Sequence, residues 1–373
     1  MEQTVRFLVI DSAYPINTRN TKIANSICEY YSGKGIQMSF CAWNRENKDI
    51  SALPNYNIYK KNSPGGQLLK KLFNLFGYFF YLKKCNIEIK PHVIIASHWD
   101  MLLLSSIFKK KSQILVYENL DIPSVPSKVL LAILKGVERL TLRNTDMIVF
   151  ASRFYESLYK CEKYSHVVLE NKPVFTAFHI DKNMECESGK LNISYIGGVR
   201  YLEILKNLVS AVRDNPNINL YFHGEGHDLK ALKKYSEGSE NIYFTGRYEY
   251  DEIERFYQNS DIVWAAYPNK DYNVKYAISN KFHESLYYTV PCVFSEKTCL
   301  GDLVTKREIG FVVNPYSVEE IRELLEGIVV NRKNLLSVKN RMKNYAIEEK
   351  DWESQFKDFI NELEKLIDKN NNV

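Results

Sequence analysis

Between Val274 and Ser295 the chain reads Val-Lys-Tyr-Ala-Ile-Ser-Asn-Lys-Phe-His-Glu-Ser-Leu-Tyr-Tyr-Thr-Val-Pro-Cys-Val-Phe-Ser. The segment predicts a loop, a two-turn helix opening near Ser279–Asn280, and a short buried strand after Pro291. Ser279 or Asn280 suits the N-cap, because either side chain can accept from the free amides of the first turn. Lys281 falls in that turn, where a cation opposes the helix dipole. Free amides and a positive charge together suit a phosphate. Glu284, one turn deeper on the same face, can accept two hydroxyls of a ribose. The combination reads as a nucleotide site. The same two residues could instead form a surface ion pair at i,i+3, worth only about 0.3 kcal/mol.

In a parallel sheet, ligands bind beyond the carboxyl ends of the strands, on the loops that lead into helices. Ile193–Ile196 is followed by Gly197-Gly198-Val199-Arg200, with Lys206 in the next helix. The glycines admit a close backbone approach, and Arg200 suits bidentate phosphate contacts. Asn219–Phe222 runs into His223-Gly224-Glu225-Gly226, and Asn241–Thr245 into Gly246-Arg247. A glycine after a strand is usually only turn punctuation. Four such strand ends, counting the helix at Ser279, point to one shared site.

The elements that must carry these loops alternate along both halves of the chain. Strand-like runs occur at Val5–Ile10, Met38–Ala42, Val93–Ala96, Ile114–Tyr117 and Met147–Ala151, with helical stretches near 18–31, 66–84, 100–108, 127–144 and 152–160. A second series has strands at Ile193–Ile196, Asn219–Phe222, Asn241–Thr245, Asp261–Ala265, Cys292–Phe294 and Gly310–Val313. Its helices fit 201–213, 227–236, 251–259, 280–288 and 318–329. The expected fold is α/β: two Rossmann-like, doubly wound parallel-sheet domains facing across a cleft. Residues 1–172 would form the first domain and 173–350 the second, with Asp181–Lys190 a surface loop. Apolar residues at 352, 356, 359, 360, 363, 366 and 367 predict a final amphipathic helix within 351–373.

Taken together, Tyr-Ile-Gly-Gly-Val-Arg…Lys, Phe-His-Gly-Glu-Gly, Phe-Thr-Gly-Arg-Tyr, Asp-Ile-Val-Trp-Ala and Lys-Tyr-Ala-Ile-Ser-Asn-Lys-Phe-His-Glu resemble the donor-nucleotide domain of GT-B glycosyltransferases. The resemblance is closest to the family 4-like retaining enzymes of bacterial polysaccharide and capsule assembly. It implies that Arg200 and Lys206 hold a diphosphate, that Glu284 clamps the ribose, and that backbone around Arg247–Tyr248 meets the base. Gly197, Gly198, Gly224, Gly226, Ser279, Asn280 and Lys281 would complete the donor site. Many of these enzymes carry a sugar-positioning glutamate eight residues before the ribose-binding one; here that position is Tyr276, which leaves the donor sugar open. The implied activity is transfer from a UDP- or GDP-sugar to a saccharide or lipid-linked acceptor, with retention of configuration. No cofactor is expected, the nucleotide-sugar being a substrate. No metal is expected either, since the chain lacks an Asp-x-Asp motif and cationic side chains with helix amides would neutralise the leaving diphosphate. The tail helix would return to the first domain, as in similar enzymes. A nucleotide-sugar epimerase of the same fold, or a binding protein that has lost transfer, are the other readings.

The first domain would hold the acceptor. His98, in Ala-Ser-His-Trp-Asp, occupies a place where such enzymes often have a histidine facing the donor sugar, or it is a hydrogen-bonded histidine at a strand terminus. Glu118, in Tyr-Glu-Asn-Leu-Asp, is a candidate base or polariser, or an ordinary loop carboxylate. His223 and His227 span a glycine turn unlike a zinc-protease helix and read as structural. Residues 1–180 carry 24 Lys+Arg against 14 Asp+Glu, while residues 181–373 carry 26 against 31. The surplus marks the first half as the one facing something anionic. No nucleic-acid motif accompanies it, so an anionic membrane surface fits better, met by Lys70, Lys71, Lys83, Lys84 and the aromatics between them, or else that helix packs on its own sheet. Seven scattered cysteines without a C-x-x-C pair argue for reduced thiols in a cytosol. Met1–Arg6 leads straight into a strand-like run, so no signal peptide is expected. The longest apolar stretch, Leu75–Leu82, is too short to span a bilayer. A cytoplasmic protein, peripheral on the inner face of the membrane, is the resulting expectation.

Overall fold

The computed structural model describes residues 4–46, 48, 49, 54–63, 68–125, 127–173 and 189–371, without the side chains of 68–72 and 371. Most of the expected Asp181–Lys190 loop therefore lies outside the described residues. The chain divides into two compact units, Met1–Asn171 with Trp352–Val373, and Lys172–Asp351.

The first unit runs β1 Val5–Asp11, α1 Thr18–Tyr30, β2 Ile36–Asn44, β3 Tyr56–Lys60, α2 Leu68–Ile89, β4 Val93–Ser97, α3 His98–Phe108, β5 Ile114–Asn119, α4 Lys128–Thr141, β6 Met147–Phe150 and β7 Ser165–Val168. Its described strands form a wholly parallel sheet in the order β3-β2-β1-β4-β5-β6-β7. Such a sheet needs both faces covered, so its strands read as apolar runs; β4 is buried at every residue. Ile23, Ala24 and Ile27 of α1 share one core with Phe7, Val9, Val93 and Ile95, and Trp352, Phe359, Ile360 and Leu363 of the last helix join it.

The second unit runs β8 Leu191–Ile196, α5 Leu202–Val212, β9 Ile218–His223, α6 Leu229–Tyr235, β10 Ile242–Gly246, α7 Ile253–Gln258, β11 Ile262–Trp264, α8 Tyr272–Tyr276, α9 Asn280–Tyr288, β12 Cys292–Ser295, α10 Cys299–Arg307, β13 Phe311–Val313, α11 Val318–Val330 and α12 Lys333–Glu348; α13, Trp352–Asn371, then returns the chain to the first unit. The sheet order is β10-β9-β8-β11-β12-β13, again all parallel. A single apolar core joins Ile193, Leu220 and Val293 from the strands to Leu205, Leu208 and Val209 of α5 and Ile321 and Leu325 of α11.

Several elements were not expected from the sequence. β3 and β7 are short, half-buried edge strands, so neither shows the continuous apolar run of an inner strand. α8, α10 and α12 also appear. The run 152–160, expected as α-helix, contains a 3₁₀ turn over Arg153–Leu158 instead.

Candidate functional site

The strand order sets the ends of β10, β9, β8 and β11 side by side, and the loops that leave them are stitched to one another. Gly197 N donates to the His223 carbonyl (2.8 Å), Val199 N to Glu225 (2.9 Å) and Gly224 N to Gly246 (2.8 Å). The Asp228 carboxylate accepts from Leu202 N at 2.9 Å, tying the β9–α6 loop to the start of α5. Only glycine permits this approach: a Cβ at Gly224 would lie 2.1 Å from the Gly197 oxygen, and one at Gly226 2.1 Å from the Val199 oxygen. Tyr201, immediately before α5, holds φ at +71° without being glycine, a conformation that costs about 1–3 kcal/mol. It follows Arg200, whose guanidinium carbon lies 5.0 Å from the Tyr201 ring centre and whose side chain stands exposed at the strand-end edge.

Ser279 is the N-cap of α9, its side chain accepting from Lys281 N at 3.2 Å; Asn280 is the first helical residue and is exposed. Lys281 Nζ meets Glu284 Oε2 at 2.7 Å, and the Tyr257 hydroxyl donates to the same oxygen at 2.8 Å. Lys281 is 9 % exposed and Glu284 4 %, which rules out a solvated surface pair. Desolvating two charges costs several kcal/mol each unless their partners are well placed, and the tyrosine supplies part of that compensation. Burial, reinforced by the Glu284 charge, pushes the Tyr257 phenol well above its usual range and keeps it a donor.

Lys281 runs across the end of β8, its Cε 3.9 Å from where a Gly197 Cβ would sit. Tyr248, after β10, packs edge-on against Phe256 (5.1 Å). Its phenol is raised mainly by burial, with the charges of Lys281 and Glu284 both acting on it. Tyr267 senses the Arg200 and Glu284 charges together, burial pushing its phenol up to about 12. The first and third glycine loops and the start of α9 therefore face one small region. Lys281 and Glu284 supply a cation and a carboxylate there, and Arg200 and Arg247 are exposed in the loops that leave β8 and β10.

Two residues assigned to the chemistry lie elsewhere. Lys206 extends over the Tyr235 ring, 4.9 Å from its centre. The Tyr235 hydroxyl is bonded to Ser210 at 2.8 Å, further along α5. Lys206 thus points away from the strand-end edge, where Lys281 instead lies against Gly197. The reason is local: α5 begins at Leu202, so residue 206 has already turned onto the α6 side. Glu118 ends in the interior of the first unit, 0 % exposed, with Oε1 2.6 Å from Arg19 Nε, itself 1 % exposed. An ion pair sealed in this way cannot serve an acceptor as base. Tyr276 closes α8, its ring 5.3 Å from that of Tyr272. His98 opens α3 half-buried, with φ at +66°, a second strained non-glycine residue at a strand end. Tyr257, Tyr267 and the Tyr288 ring stacked 4.7 Å from Tyr257 were not foreseen, because only the tertiary fold brings α7 against α9.

His223 is buried, stacked 3.9 Å from Phe256, with Nδ1 3.0 Å from Thr245 Oγ1. Burial and the nearby Arg255 bring its pKa down to about 4. An unfolded histidine takes its proton near 6.5, so between those values the unfolded chain binds more protons and stability falls as pH falls. Wild type is expected to lose up to about 3 kcal/mol through His223 between pH 7 and pH 4. Urea titrations should show a flatter profile for His223→Asn; parallel profiles would refute the assignment.

Residues 180–349 match the family described as glycosyl transferases group 1. No curated protein sequence matches the chain. Among solved structures, sucrose-phosphate synthase from Thermosynechococcus elongatus superposes with a TM-score of 0.73 at 12 % identity, covering 97 % of this chain and 99 % of that one. The Anabaena protein Alr3699/HepE, solved in complex with UDP and glucose, gives 0.70 at 12 % identity over 96 % and 99 %. A putative UDP-N-acetylglucosamine 2-epimerase from Listeria monocytogenes gives 0.60 at 12 % identity over 90 % and 91 %. The chain has the GT-B fold, built from two Rossmann-like parallel-sheet units. Its second unit carries the group 1 match, which supports glycosyl transfer from a nucleotide-sugar.

Proposed function

We propose that the protein transfers a sugar, with retention, from a nucleoside diphosphate-sugar to a saccharide or lipid-linked acceptor in cell-surface polysaccharide assembly. The observation that carries the reading is the buried Lys281–Glu284 pair at the start of α9, set against Gly197 at the end of β8. Glu284 receives the ribose hydroxyls, while Lys281, Arg200 and the first amides of α9 face the diphosphate. Charge that develops on a leaving diphosphate is met there by groups already in position, which is where such sites lower the barrier most. Arg247 and Tyr248 lie on the base side. His98, half-buried at the opening of α3, is the first-unit candidate for contact with the acceptor. No metal is needed in this scheme, because the cations are side chains.

The test is donor turnover. Incubation with UDP- and GDP-sugars should release the nucleotide slowly alone and faster with a saccharide or polyprenyl-linked acceptor, at a rate unchanged by EDTA. Loss on EDTA and recovery with magnesium would overturn the metal-free scheme. The fold shared with the Listeria protein favours epimerisation as the second reading. That reading predicts a changed sugar with nucleotide still attached, or nucleotide release indifferent to acceptor.

A further inference from the structure

The crossovers β3–α2–β4, β4–α3–β5 and β5–α4–β6 all run in one direction along the first sheet. Right-handed connections therefore set α2, α3 and α4 on the same face, opposite the face where α1 and α13 share a core. α3 lies in the middle, packed against both neighbours and largely buried. The flanking helices turn apolar side chains to solvent. On α2 these are Phe73 (80 % exposed), Phe76 (65 %) and Phe80 (53 %); on α4 they are Val129 (72 %), Leu130 (43 %) and Ile133 (57 %). Each set falls on one helical face by its spacing. Both sets lie in the first two-thirds of their helices, toward the ends that rise from the carboxyl edge of the sheet, where His98 opens α3.

The charge along the segment that carries these ridges is predominantly positive. Residues 68–144 contain 12 Lys+Arg and 5 Asp+Glu, and three of the acids, Asp100, Glu118 and Glu138, are buried. Of the remaining two, Glu88 stands 3.7 Å from Lys84, and Asp121 is exposed after β5. Lys83 and Lys84, one turn past Phe80, and Lys128, next to Val129, are exposed. A second copy of the chain would bring two such surfaces of like sign together, which repels. Single-stranded nucleic acid would use aromatic faces for stacking, and the α4 ridge offers only aliphatic side chains. A bilayer surface with anionic headgroups satisfies both features, taking the apolar side chains below the phosphates and the cations at their level. No described helix is long and apolar enough to cross the bilayer.

We propose that α2 and α4 dock the first unit on an anionic lipid surface. Phe73, Phe76 and Phe80 form one anchoring ridge and Val129, Leu130 and Ile133 the other. The inference deepens the transferase reading, since it brings the His98 edge close to a lipid-linked acceptor, yet the binding itself does not depend on transfer. Co-sedimentation of the full chain with phosphatidylcholine vesicles, with and without phosphatidylglycerol, decides it. Sedimentation is expected only with phosphatidylglycerol and should fall with added salt. Phe73→Ser with Phe76→Ser, and separately Val129→Ser with Ile133→Ser, should each weaken it about tenfold or more, since apolar burial of this size is worth at least that factor. Binding equal with both vesicle types, or undiminished in the α4 variant, overturns the proposal. So does binding of oligouridylate, or a dimer in light scattering, abolished by the same substitutions while vesicles fail to sediment the parent. A melting temperature and far-UV circular dichroism spectrum unchanged in every variant certify the fold. Failure of docking then leaves the transferase reading untouched, just as absent turnover leaves docking untouched.

Discussion

Glu284→Ala is expected to weaken nucleotide binding by about 1–3 kcal/mol, the cost of losing a charged hydrogen-bonding partner. A sequence view of Glu284 as an exposed clamp would add that the fold is indifferent to the change. The structure argues otherwise: Tyr257 and Lys281 both end on its Oε2, and truncation strands a buried ammonium. Breaking one side of a buried pair costs about 3–5 kcal/mol of stability, so a loss of binding by Glu284→Ala alone would be ambiguous. Glu284→Gln combined with Lys281→Met removes both charges and keeps an acceptor for Tyr257. If the pair were only structural, this double variant would recover stability and bind UDP and GDP as the parent does. The expected result is recovered melting temperature with binding still reduced at least about tenfold, since each 1.4 kcal/mol is a decade. Calorimetric titration and a thermal melt on the same samples separate the two outcomes.

The parts of the site that were legible in the sequence are those written into one strand–loop–helix segment. The N-cap at Ser279, the i,i+3 relation of Lys281 and Glu284, and the glycines after β8 and β9 are local facts. A local fact survives folding because the period of the element dictates it. The apolar positions of α13 were legible for the same reason, and Trp352, Phe356, Phe359, Ile360 and Leu363 are the buried ones. Residues whose meaning depends on a partner far along the chain were not. Glu118 reads as a loop carboxylate until Arg19, 99 positions earlier, is found against it. Tyr257 reads as a core aromatic until its hydroxyl is seen on Glu284. Lys206 lies six residues past Arg200, but a helix turns through 100° per residue, and where α5 begins decides which way that lysine points. Edge strands such as β3 escape because one side of each needs no apolar run. α2 was legible as a basic, aromatic helix, with a surface-facing and a sheet-packed reading both open; the exposure of Phe73 and Phe76 is a property of what fails to cover them.

The largest expected effect on rate separates Lys206 from the other two cations of the second unit. Lys281→Met, Arg200→Met and Lys206→Met each remove one positive charge, and a general electrostatic effect of the unit would make them alike. Screening over about 8–10 Å in buffer confines each charge to its neighbourhood. A group that meets developing charge on the leaving phosphate should therefore stand apart. Losing one such donor typically costs a factor of about 100–1,000 in turnover. Lys281→Met and Arg200→Met are each expected to lose on that order in kcat, with a smaller change in KM. For Lys281→Met the comparison is made on the Glu284→Gln background, so that no buried carboxylate is left unpaired. Lys206→Met, whose ammonium rests on Tyr235, should stay within about twofold, as surface substitutions away from a site usually do. Steady-state kinetics with one donor and one acceptor measures all three. A rate loss at Lys206 equal to that at Arg200 would return Lys206 to the diphosphate and show that α5 moves when donor binds. A Lys281→Met variant with undiminished kcat would leave the lysine a packing partner of Glu284, and the burden of the leaving group would then fall on Arg200 and the amides of α9.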